Sequence, residues 1–202
     1  GAYQPHYHRP MGEPPNPSLR VSPPEGVKET RERPVVSLRD TRWKPSVTVA
    51  AVIEREGRYL LVEEMTSDGL RLNNPAGHLD PGESLLQAAV RETLEETAHP
   101  FEPEALVGVY LAALHRPRTG EHITYLRFAF CGRVGDAIPG QPLDQPVVRT
   151  LWMTPDELRA CPERHRSPLV LQCVEDHRAG RRLPLNALFT AESIYTLGQS
   201  GA

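Results

Sequence analysis

Cysteine is scarce in this chain: Cys131, Cys161 and Cys173 are the three in 202 residues. They are far apart, odd in number and form no CxxC pair, which argues against a disulfide framework. Buried, reduced thiols in a cytoplasmic protein are the expectation. Long apolar runs are missing as well. No stretch approaches the ~20 residues that cross a bilayer, and the first residues do not read as a secretory signal, so no membrane partner is expected. Positive charge is not in excess either. A net charge of −3 leaves no footprint for duplex nucleic acid, and none is expected as a partner.

What the chain does have is a concentration of carboxylates in Gly77 to Ala98, GHLDPGESLLQAAVRETLEETA. Ser84-Leu85-Leu86-Gln87 fits a capping box after the turn-forming Asp80-Pro81-Gly82, so a helix starts at Ser84. On that helix Glu92, Glu95 and Glu96 stand at i, i+3 and i+4 and share one face. Like charges at that spacing repel by a few tenths of a kcal/mol per pair. A hard divalent cation removes the penalty, because Mg²⁺ or Mn²⁺ accepts several carboxylate oxygens in one shell. Leu86, Val90, Thr93, Leu94 and Thr97 fall opposite and form the expected packing face. Ala88 and Ala89 lie on the acidic side, small enough for a glycine loop to approach. Arg91, four residues before Glu95, can hold that carboxylate and can also receive Glu83.

Along the rest of the chain the texture changes twice. Residues 1–42 carry many prolines with almost no apolar periodicity and read as a disordered or loosely draped extension. A folded domain is expected over 43–189, followed by a tail at 190–202. Ser46–Arg55 and Arg58–Thr66 are β-branched runs around Glu56-Gly57, a hairpin signal. Ala105–Leu114 and Ile123–Val134 read as strands joined by a turn at Pro117–Gly120, and Val147–Met153 as a short strand. Thr154-Pro155 and Ser167-Pro168 each open a helix, the second running to about Ala179. Strands interleaved with helices predict an α/β fold, a mixed sheet covered on both faces.

Gly77, five residues, Glu83, seven residues and then Arg91-Glu92-Thr93-Leu94-Glu95-Glu96 resemble the Nudix box, the loop-helix signature of hydrolases that cut diphosphates linked to another moiety. Thr93 stands where an aliphatic residue is usual, Ala98 replaces the closing glycine and His99 a final apolar residue. Ala98 requires the helix exit to avoid a left-handed conformation or to accept strain there. Pro75-Ala76-Gly77-His78-Leu79, Val47-Thr48-Val49-Ala50, Leu126-Arg127-Phe128, Arg166-Ser167-Pro168 and the GRRLPL run at 180–185 are similar to the phosphatase NudJ branch. The resemblance spans roughly 43–189. It implies an α/β/α sandwich and a Mg²⁺-dependent phosphohydrolase of nucleoside tri- and diphosphates, or of small diphosphates such as the pyrimidine precursor of thiamine.

The chemistry itself asks for cations, since a diphosphate repels a nucleophile and must be neutralised while water is positioned. Glu95 and Glu96 are the leading ligands. The family pattern adds Glu92 as ligand or general base and the Ala76 carbonyl as a further ligand, with Glu83 an orienting partner of Arg91. A base from a later loop stays open, with Asp144, Glu121 and Glu163 as candidates. His78 could touch phosphate or merely brace its loop. Arg127, alternating with Leu126 and Phe128, could clamp a phosphate if its face is the cleft. Tyr110 and Tyr125 are ring-stacking candidates or core aromatics, and Arg116, Arg118 and His122 are expected to be solvated. Two other functions remain: an ADP-ribose or RNA-cap pyrophosphohydrolase, and a non-catalytic nucleotide-diphosphate-binding module. A monomer and a homodimer both fit.

Overall fold

The computed structural model describes residues 43–116 and 120–197. The expectations for the 1–42 extension, for Arg118 and for most of the Pro117–Gly120 turn fall outside those residues.

The first apolar run does not form one strand. It divides at Ile53 into β1 (Ser46–Val52) and β2 (Glu54–Arg55). Glu56 and Gly57 both take positive φ, 53° and 77°, the signature of a two-residue I′ hairpin. That turn joins β2 to β3 (Arg58–Thr66), with Arg55 opposite Arg58. β1 instead enters a different sheet, and Ile53 at the break is buried. The alternating pattern was the same on both sides of Ile53, so only the pairing partners reveal the division.

Next come β4 (Gly69–Asn73), β5 (Ala76–His78) and helix α1 (Leu85–Thr97). β6 (Phe101–Arg116) and β7 (Glu121–Val134) form a long antiparallel pair, extended beyond the predicted ends and broken by two register shifts. β8 (Val147–Met153), α2 (Pro155–Arg159) and α3 (Leu169–Arg178) complete the domain. One sheet has the order β5-β1-β7-β6, with β1 and β7 parallel and the other pairs antiparallel. The other runs β2-β3-β4, and β8 pairs on the free side of β3.

β1 is buried on both faces, as a strand between two layers must be. Val49, Ala51 and Ile53 pack with Leu60, Ala88, Ala89 and Phe130 on the α1 side. Ala50 and Val52 pack with Leu61, Leu72, Val170, Cys173 and Val174 on the α3 side. The result is an α/β/α sandwich around a mixed sheet. No helix among the described residues is long and apolar enough to cross a membrane.

The packing face of α1 is rotated from the predicted one. Ala88, Ala89, Thr93, Glu96 and Thr97 are buried, whereas Val90 is exposed. Glu96 therefore sits at the margin of the core and not on an open acidic face. The helix starts as its capping box dictates: Ser84 Oγ accepts from the Gln87 N–H, and the Gln87 side chain accepts from the Ser84 N–H at 2.8 Å. It ends at Ala98 in the left-handed region, φ 58°, where the Ala98 N–H reaches the Leu94 carbonyl. The strain is thus accepted at a cost of about 1 kcal/mol relative to glycine. His99 is buried, with Nδ1 2.8 Å from the Gly135 carbonyl oxygen and its ring edge-on to Trp152.

At α3 the cap differs from expectation. Pro168 occupies the cap position in helical conformation, and Ser167 Oγ accepts from the Leu169 N–H one step further out. Thr154 caps α2 as predicted, with a reciprocal bond from Glu157.

Candidate active site

Arg91 organises the loop between β5 and α1. Its guanidinium grips Glu83 twice, Nε to Oε2 at 2.9 Å and NH2 to Oε1 at 2.7 Å. NH1 donates to Glu92 at 2.8 Å and to Glu95 at 3.1 Å, and NH2 also reaches the His78 carbonyl at 3.0 Å. Asp80 lies 3.5 Å away, and its N–H donates to Glu83. Charge-assisted, partly bidentate bonds of this kind fix geometry as well as charge. Glu83 is held below the usual carboxylate range, chiefly by its bonds from Arg91. Arg91 is in turn held firmly protonated, chiefly by Glu83.

Glu96 lies deeper. The Ala76 N–H donates to its Oε2 at 2.9 Å, yet burial pushes the carboxyl up to about 8, with Glu64, Glu92 and Asp144 adding negative charge nearby. Glu92 is also raised, again by burial first, against the pull of Arg91. Its carboxylate rests on Gly77 so closely that a β-carbon there would fall inside it. Gly77 is therefore required for close approach, and not for an unusual φ.

These groups open onto a cleft of about 870 Å³, within the range of small-molecule sites. One wall carries Glu64, Asn73, Ala76, Gly77, His78, Asp80, Glu92 and Glu96. The floor carries Thr48, Tyr125 and Arg127, and the segment leading into α3 supplies His165, Arg166 and Leu169. His78 is exposed, with its ring 6.2 Å from Tyr125.

The placement of the remaining candidates is uneven. Glu92, Glu96, Ala76, His78 and Arg127 line the cleft; Glu95 and Glu83 are turned to Arg91 and do not. Asp144 is exposed, but its N–H donates to the Glu95 carbonyl at 2.9 Å, which brings its loop to the acidic wall. Glu121 and Glu163 are exposed and line no part of the cleft. Tyr110 points away to Asp176 at 2.9 Å. His122 is exposed and stacks on His115.

Glu64 was missed by sequence reasoning. It is buried in the acidic wall, 3.4 Å from the Asn73 amide and 3.6 Å from Arg166. A signal existed in Glu63-Glu64 at the end of an apolar strand. Alternation sends Glu63 to Arg149 and Arg164, each at 2.6 Å, and Glu64 to the cleft.

Among the described residues no group of three or more His, Cys, Asp or Glu side chains is arranged to hold a metal ion. The donor chemistry nonetheless suits a hard divalent cation. Glu64, Glu92 and Glu96 are oxygen donors that line one wall, and burial penalises the charges of Glu92 and Glu96 unless something positive joins them.

Comparison with known proteins agrees with this geometry. A family model described as "NUDIX domain" matches residues 42–172. The chain is 34% identical over 146 residues to phosphatase NudJ of Escherichia coli K12, covering 72% of this chain and 92% of that protein. A solved NUDIX hydrolase from Nitrosomonas europaea is 51% identical and superposes with a TM-score of 0.67, over 73% of this chain and 98% of that one. A UDP-X diphosphatase shares the fold at 20% identity with a TM-score of 0.55, over 72% of this chain and 68% of that one.

Proposed function

This chain belongs to the Nudix family, hydrolases of pyrophosphate bonds, and we propose that it is a Mg²⁺-dependent phosphohydrolase of nucleoside tri- and diphosphates or related small diphosphates. The observation that carries the reading is the placement of Glu64, Glu92 and Glu96 on one wall of a cleft large enough for a nucleotide, beside an Arg91 that fixes Glu83, Glu92 and Glu95. The NudJ relative, matched over most of its length, supports the phosphatase reading.

Glu92, Glu96 and Glu64, with the Ala76 carbonyl, would hold Mg²⁺ or Mn²⁺, with Glu95 joining them once it turns from Arg91; the ion would neutralise phosphate oxygens and acidify a water. Arg91 and Glu83 keep the helix and the Gly77 loop in fixed register, so that the carboxylates stay aligned. The Ala76 N–H orients Glu96. Glu92, raised by burial yet tied to Arg91, is the general base closest at hand, and Asp144 is the alternative. His78 at the mouth contacts phosphate, and Tyr125 beside it offers a flat surface to a ring.

A product-analysis screen with Mg²⁺ over ATP, ADP, the thiamine pyrimidine diphosphate precursor and ADP-ribose tests the reading, following inorganic phosphate from the first three and AMP from ADP-ribose. Release from the first three, abolished by EDTA, is expected. Cleavage confined to ADP-ribose would favour the ADP-ribose alternative. No metal-dependent hydrolysis of any member would leave a binding module.

A further inference from the structure

Resting on that reading, we propose that Arg127 and Arg166 form a two-guanidinium clamp for a free terminal phosphate, making the cleft selective for substrates whose phosphate chain ends unesterified.

Arg127 stands on β7, opposite Thr48 of β1 and Tyr110 of β6. It is 7% exposed and lines the cleft. Its neighbours are neutral. NH1 donates to Asn74 Oδ1 and NH2 to Asn73 Oδ1, both at a long 3.3 Å, and the Cys173 thiol lies beside it. Among the described residues no carboxylate forms an ion pair with it. Its Nε–H and the Thr48 hydroxyl are closed off from water and have no hydrogen-bond partner. A buried cation left without a counter-charge is the arrangement proteins avoid unless a ligand supplies that charge.

Arg166 lines the same cleft from the segment before α3. Its N–H is anchored on the Leu72 carbonyl at 2.8 Å, while its guanidinium is a third exposed and, among the described residues, pairs with Glu64 at 3.6 Å. Asn73 ties the two ends together, its amide nitrogen toward Glu64 and its oxygen toward Arg127. Both arginines therefore face the cleft beyond the acidic wall. A terminal phosphate brings two charges and three oxygens to such a pair, and planar guanidinium groups match that geometry bidentately. A phosphate esterified on both sides brings one charge and two free oxygens.

Calorimetry with imidodiphosphate, whose P–N–P bridge resists hydrolysis, tests the clamp in the presence of Mg²⁺. Arg127→Gln and Arg166→Gln should each weaken binding about tenfold to hundredfold, as loss of a charge-assisted bond predicts. ADP should also compete better than ADP-ribose for wild type, and that preference should shrink in both variants. Arg166 is partly exposed, so its variant remains informative if Arg127→Gln lowers the melting temperature. Unchanged imidodiphosphate affinity in Arg166→Gln, or absence of wild-type binding, overturns the clamp. Binding that depends on Mg²⁺ and Glu96 but on neither arginine leaves the hydrolase reading standing without it. Binding that depends on the arginines and on neither Mg²⁺ nor Glu96 keeps the clamp and removes the Mg²⁺-dependent reading.

Discussion

Two half-buried polar networks lie close to α3, and they are built on different principles. Under α3, Tyr59, His177 and Arg182 close on one another. Arg182 has only donors, so His177 Nε2, 2.6 Å away, must accept, and Nδ1–H then donates to the Tyr59 oxygen at 2.7 Å. Nearby, Tyr110 donates to Asp176, which also receives Gln172. Burial drives His177 down to about 4 and Tyr59 up to about 12, and both stay neutral. Every group there has a partner, and the network needs nothing else. At the cleft, α1 and β3 bring carboxylates beside carboxylates on one wall, and β7 puts an uncompensated guanidinium on the floor. Burial alone does not separate the two networks; charge left over after internal pairing does.

The sharpest way to break this contrast is Glu96→Gln. Glutamine keeps an oxygen for the Ala76 N–H, so the melting temperature should hold while turnover falls by orders of magnitude; wild-type-like turnover would remove Glu96 from the site. Gly77→Ala comes next. The new methyl must displace the Glu92 carboxylate, a flexible side-chain end, so activity should fall about tenfold or more. Circular dichroism and melting should change little, and a large loss of stability would show that Gly77 supports the fold instead.

The α3 network predicts a pH effect without a catalytic one. The folded His177 titrates near 4 and the unfolded near 6.5. As pH falls through that window the unfolded chain binds the proton first, so stability present above 6.5 is progressively lost. His177→Gln should flatten the dependence of melting temperature on pH between 6.5 and 4, and an unchanged slope would show that other groups carry it. The smallest effect is expected at the helix exit. Ala98→Gly should raise stability by about 1 kcal/mol in denaturant unfolding, since glycine adopts φ 58° without strain. A loss would mean that the buried Ala98 methyl outweighs the backbone term.

Much of this was legible in the chain. The Ser84 capping box, the Thr154 cap, the Glu56-Gly57 turn and the β8 segment all follow from rules that act over a few residues, and each appears where those rules put it. The Arg91 cluster is nearly as local, because its members lie within one loop and three helical turns. Three things were not legible. The break at Ile53 depends on which distant strands β1 and β2 meet. The rotation of the α1 face depends on how Ala88 and Ala89 let the helix settle on β1, which draws Glu96 inward and leaves Val90 outside. The recruitment of Glu64, Asn73 and Arg166 to one cleft joins residues up to 102 positions apart (166 − 64).

By itself, then, the sequence determined the helix, its caps, the acidic stripe and the arginine that braces it, since hydrogen bonds and charges at short spacing need no knowledge of the rest. Tertiary structure decided which of those carboxylates face a cleft, which further groups join them and which buried charges are left unpaired. Desolvation and leftover charge are properties of packing across the sheet, and no local pattern records them.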